Sequence, residues 1–205
     1  MPFDYRKLNL KGGNILFSKT KIKCSVIAFV AIIITFLSQG TLAFYQTVGN
    51  ATNVITSGNI QFIIHETTDQ GKEFPKEGVY IVPGDIVSKK VNIQSDCEHP
   101  FYLRVKMVYG INSEELSAND CFALNINEEY WEFFEGWYYY KGIVEPGVTT
   151  QDVFSHVEIV GSKVDNSYIG KTLTLTVKAQ AVQSENNPLT DNLVYTASGW
   201  PKEEN

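Results

Sequence analysis

Apolar and polar side chains that alternate residue by residue give an extended strand one oily face, and this chain repeats that pattern in several separate runs. Ile86 to Gln94 sets Val87, Val91 and Ile93 against Ser88, Lys90, Asn92 and Gln94. Phe101 to Tyr109 places Phe101, Leu103, Val105, Met107 and Tyr109 on one face, with Tyr102, Arg104, Lys106 and Val108 on the other. Thr172 to Val182 carries Leu173, Leu175, Val177, Ala179 and Ala181 in one row, and Val153 to Val160 alternates as well. Asn59 to Glu66 begins as an alternation and becomes an apolar run, while Cys121 to Ile126 and Gly136 to Ile143 are shorter strand candidates. Each of the long runs is expected to bury one face. Helical stretches are confined to Ser113 to Ala118 and to Leu189 to Ala197 after Pro188, both too short to stand alone.

Short strands separated by turn residues predict an all-β fold, an antiparallel two-sheet sandwich resembling a jelly roll, with one or two short helices. Val82-Pro83-Gly84-Asp85 precedes one alternating run and Glu145-Pro146-Gly147-Val148 precedes another. Proline followed by glycine suits the two central positions of a type II turn, where φ is first fixed and then positive. Two ordinary turns are the expectation, not a repeat architecture.

The front of the chain is different. Cys24 to Leu37 is uncharged and apolar, preceded by Lys19, Lys21 and Lys23 and followed by Ser38-Gln39-Gly40-Thr41-Leu42-Ala43. A positive leader, an apolar core and small residues are the order of a signal peptide, and the core is shorter than the ~20 apolar residues of a spanning helix. Small residues at Thr41 and Ala43 place the cut after Ala43, so that the mature chain starts at Phe44. Retention as an uncleaved anchor is the alternative. The expected organisation is therefore a signal helix within a leader over 1–43, an extended amino-terminal segment over 44–58 and the β-domain over 59–205.

Charge and composition narrow the function. The leader holds six of the 17 basic residues and one of the 23 acidic ones, which leaves 11 basic against 22 acidic and a net of −11 on the body. Such a body repels nucleic acid and anionic membranes, so contact with a membrane is expected only through the leader before cleavage. Cys24 leaves with the leader. The remaining pair, Cys97 and Cys121, permits one disulfide in an exported protein.

No pattern for catalysis or cofactor binding stands out. Of the three histidines, His65, His99 and His156, none lies four positions from another. His65-Glu66-Thr67-Thr68-Asp69 is a degenerate echo of a zinc-protease helix in a segment that reads as an exposed strand end. Asp96-Cys97-Glu98-His99 clusters four ligand types, but in a loop before Pro100 with no matching cluster elsewhere. Neither a Gly-x-Ser-x-Gly elbow nor a glycine-rich phosphate loop occurs. The expectation is a protein without a cofactor, and not an enzyme.

Tyr130 to Tyr140 puts eight aromatic residues into eleven positions. Exposed rings of Trp131, Trp137, Tyr138 and Tyr140 would form a platform for a sugar or a partner surface. The competing reading is a hairpin bent at Gly136, with rings alternating between the core and a covered outer face.

Gly40-Thr41-Leu42-Ala43-Phe44-Tyr45, Ala51-Thr52-Asn53 and Thr56-Ser57-Gly58-Asn59-Ile60 resemble the processing region and first strand of the TasA/camelysin family, exported surface and biofilm-matrix proteins of Gram-positive bacteria. The Val82 to Asp85 turn and the closing run Ala179-Gln180-Ala181-Val182-Gln183 are similar to that family too. The resemblance spans most of residues 40 to 183 and is loose between Asn112 and Val144. It implies a dedicated signal peptidase of the SipW type, a jelly-roll domain, and fibre assembly with itself or a related matrix protein by donation of the amino-terminal segment as a strand. Within residues 44 to 57, Phe44, Val48, Val54 and Ile55 are the expected anchors. Some members are described as surface metalloproteases, a reading for which this chain offers no ligand set. Intact-mass measurement of secreted protein should find a chain beginning at Phe44; a product retaining Met1 would exclude cleavage.

Overall fold

The computed structural model describes residues 45–48, 51–52 and 60–202, and the leader with its expected cut at Thr41 and Ala43 lies outside them. Eleven strands follow in chain order: β1 Tyr45–Val48, β2 Ala51–Thr52, β3 Phe62–Thr67, β4 Val79–Ile81, β5 Ile86–Ser95, β6 Phe101–Ile111, β7 Phe122–Ile126, β8 Trp131–Phe134, β9 Trp137–Tyr140, β10 Phe154–Ile159 and β11 Thr172–Gln183. Within residues 60–202 the fold is all-β, built on two antiparallel four-stranded arrays, β11-β6-β9-β8 and β3-β5-β10-β7. The first is extended by β1, β4 and β2. After β3 the chain passes from one sheet to the other at nearly every connection, since β5, β7 and β10 lie in the small sheet and β6, β9 and β11 in the large one.

Alternation decides what is buried. Phe101, Leu103 and Val105 of β6 and Leu173, Leu175 and Val177 of β11 face Val91 and Ile93 of β5 and Phe154, Val157 and Ile159 of β10 across one apolar core. The proline-glycine turns form as expected: Asp85 N donates to Val82 O and Val148 N to Glu145 O, with Gly84 and Gly147 at positive φ.

Three expectations are corrected. Ser113 to Ala118 holds no helix; it is a bent loop pinned where Tyr168 Oη and Cys121 Sγ both donate to Ser117 O. Leu189 to Ala197 contains only the 3-10 turn Val194–Thr196. Cys97 and Cys121 are free thiols. Cys97 follows the carboxyl end of β5, whereas Cys121 O accepts from Val160 N beside the start of β5, where Glu158 pairs with Ile86. A ten-residue strand separates those levels, roughly 30 Å at ~3.3 Å per residue, far beyond the ~7 Å limit for bridged Cα atoms.

β6 also departs from the one-buried-face expectation. Tyr102 and Arg104, in its second row, are buried as well, beneath the segment that follows β11. Trp131 is the largest side chain that is fully enclosed, and its Nε1 donates to Gln151 O at 3.2 Å. Trp131→Ala should lower unfolding stability by about 3–5 kcal/mol in denaturant titration; a loss under about 1 kcal/mol would contradict this packing.

Candidate functional site

Two places in the large sheet have architecture that goes beyond a packed core. The first is the seat of β1. Gln46, Thr47 and Val48 pair in parallel with Thr172, Leu173 and Thr174 of β11, while Tyr45, Gln46 and Thr47 pair antiparallel with Ile81, Tyr80 and Val79 of β4. β2 adds a short parallel pairing, Ala51 with Val177 and Thr52 with Lys178. In the hydrogen-bonded order β4 joins the sheet through β1. Lifting β1 out would therefore open two backbone edges facing one slot. Of the expected anchors, Val48 stands in register with Thr174; Phe44, Val54 and Ile55 lie outside the described residues.

The second place is the aromatic hairpin. β8 and β9 pair from Trp131 with Tyr140 to Phe134 with Trp137, and the two-residue turn holds Glu135 at φ 46° and Gly136 at φ 85°. Positive φ at both positions matches the twist of a tight hairpin, and glycine at the second adopts it without strain. Strand pleating then sorts the rings. Trp131, Tyr138 and Tyr140 pack toward the main core, whereas Trp137 and Tyr139 turn to the other face. Burial, reinforced by the Glu128 carboxylate, raises the Tyr138 phenol above its ordinary pKa.

The second face is covered by the chain after β11. Leu189, Val194, Tyr195, Ala197 and Trp200 pack over Tyr102, Trp137, Tyr139 and Val182. At the centre is Arg104, 8% exposed, whose guanidinium carbon lies 4.2 Å from the Trp137 ring centre and 4.7 Å from that of Trp200. Its Nε and Nη2 donate to Gln180 Oε1, Nη1 donates to Tyr139 Oη, and Nη2 also donates to Pro201 O. A buried guanidinium needs such partners, and here aromatic faces and neutral oxygens supply them. The segment's ends are tied together, since Asn187 Nδ2 donates to Ser198 O and Ser198 N to Asn187 Oδ1.

This arrangement corrects the expected aromatic platform. Trp131 is 1% and Trp137 5% exposed, and Tyr138 and Tyr140 are only partly so, so neither indole of the run is open for stacking on a sugar. Within the run, the exposed rings are Phe133 and Phe134, and Phe134 stacks on Tyr195 at 4.1 Å. Sequence periodicity did not find the cover: Leu189 to Ala197 read as a short helix, whereas the chain there is irregular apart from the 3-10 turn Val194–Thr196.

The remaining chemistry-bearing groups are dispersed. His65 Nε2 lies 2.8 Å from Gln94 Oε1, His156 Nδ1 is 3.0 Å from Ser155 Oγ, and Cys97 Sγ donates to His99 O. Among the described residues, no three His, Cys, Asp or Glu side chains converge as a metal site. No protein-family model, curated protein or solved structure matches the chain. Trp200→Ala should cost about 1–3 kcal/mol by loss of the arginine and Tyr139 contacts, and should shift the intrinsic fluorescence as Trp137 gains water. Unchanged stability and emission would mean that the cover does not sit on Arg104.

Proposed function

We propose that this chain is an exported structural protein of the Gram-positive cell surface or biofilm matrix, of the TasA/camelysin kind. A signal peptidase of the SipW type removes residues 1–43, and the mature domain assembles with its own kind or a related matrix protein through its amino-terminal segment. The domain is a jelly roll, a reading supported by the repeated passage of successive strands between two sheets. No catalytic residue, cofactor or nucleic acid takes part.

The observation that carries this reading is the place of β1. It begins two residues after the expected cut, and it is held between β4 and β11 by backbone pairing that any extended segment of suitable pattern could reproduce. A segment from a neighbouring subunit would meet the same two edges. Such a contact is head-to-tail, so it propagates into an open filament and does not close into a dimer. The acidic body favours an extracellular structural role over binding to anionic polymers.

Gln46 and Tyr80 are antiparallel partners, so cysteines at both positions lie in the Cα range a disulfide spans. In a background lacking Cys97 and Cys121, Gln46→Cys with Tyr80→Cys should hold the oxidised protein as a monomer in sedimentation and electron microscopy. Reduction should restore filaments. Filaments that form equally when the lock is closed, or after deletion of residues 44–57, would overturn strand donation.

A further inference from the structure

Lys89 occupies the inward row of β5 with Val91 and Ile93, and its side chain is 1% exposed. Glu66 is paired with Val91 across the β3–β5 ladder, which makes Lys89 its diagonal neighbour on the same inner face. The two side chains meet there: Nζ lies 3.0 Å from Glu66 Oε1, with the Glu66 side chain 10% exposed. Both atoms are buried, and neither Nζ nor Oε1 has another hydrogen-bond partner among the described residues.

A loop closes over the pair. Thr67 bridges to Glu73 and Phe74 N donates to Glu66 O, which brings the Phe74 ring to 4.8 Å from Nζ. The site thus buries one amine and one carboxyl beneath an aromatic ring. Burial lowers the Lys89 pKa, opposed in part by the Glu66 charge. Burial that penalises the ammonium favours the uncharged amine, the nucleophile that amide formation needs, and the proton given up by nitrogen leaves in the released water.

We propose that Lys89 and Glu66 condense spontaneously into a side-chain amide that joins β5 to β3. The Nζ lone pair adds to Glu66 Cδ, forming the N–C bond. The carboxyl hydroxyl then departs with a proton from nitrogen, breaking one C–O bond and releasing one water. Nothing is oxidised or reduced, and no further reactant is consumed. Holding the groups in contact replaces an encounter by an intramolecular step, where effective concentrations reach ~10⁵ M or more. The product is a neutral amide, so no ionisable group remains in the buried site, and the partial exposure of Glu66 leaves the water a way out. β3 is one of the two edge strands of the small sheet, and the bond would anchor it against peeling.

Intact-mass analysis of the reduced full chain tests this. The expected mass is one water below that of the sequence. Trypsin does not cut after an amidated lysine, so digestion should yield a branched peptide joining a segment ending at Lys72 to one that reads through Lys89. Lys89→Met and Glu66→Ala should each restore the unreduced mass calculated for the variant. A wild-type chain at full sequence mass, or a water loss mapped to other residues, would overturn the proposal and leave an ordinary buried ion pair. Because the wild-type measurement alone decides, poor folding of a variant does not blur the result.

Discussion

Eleven consecutive pairs, from Leu173 with Ile111 to Gln183 with Phe101, make the β6–β11 ladder the axis on which the other features hang. Its inner row supplies much of the core through Phe101, Leu103, Val105, Leu173, Leu175 and Val177. Its outer row carries Arg104 and Gln180, directly opposite each other, and so fixes where the terminal segment docks. The far edge of β11 receives β1 and β2, while the far edge of β6 receives the hairpin through Arg104 with Tyr139 and Val105 with Tyr138. One pairing register therefore positions the slot, the aromatic hairpin and the cover. A slip by one residue would exchange the two rows and lose all three.

The two sheets meet water differently. On the small sheet, the outward row of β5 is polar, with Ser88, Lys90, Asn92 and Gln94 set between neighbours such as Asp69, Asp152 and His65. On the large sheet, the corresponding face carries indoles, phenols and a guanidinium under a cover of irregular chain. Among the described residues the cation is held by aromatic faces and neutral oxygens, and each of the three guanidinium nitrogens donates at least one hydrogen bond.

Much of the fold was legible in the sequence. The runs beginning at Ile86, Phe101, Val153 and Thr172 correspond to β5, β6, β10 and β11, and glycine at the bend marked the β8–β9 hairpin. β4 was missed, since a three-residue strand is too short to show a period. Lys89 was unread for a related reason: charge suggests a solvated face, yet strand parity places it in the row of Val91 and Ile93, and only a carboxylate from another strand makes that burial tolerable. The exposed strand end expected around Glu66 fails on the same pair.

By itself, the sequence determined that the body would be built of strands with oily faces, because side-chain parity is a local property of an extended backbone. It also marked the proline-glycine turns, whose chemistry acts over a few residues. Tertiary structure alone decided which strands became neighbours, that β1 lies between β4 and β11, and that Cys97 and Cys121 sit at opposite ends of the small sheet. It likewise decided which aromatic rings are covered. These outcomes depend on contacts between residues far apart in the chain, and such contacts are set by the register of ladders and the packing of one layer on another, neither of which a local pattern encodes.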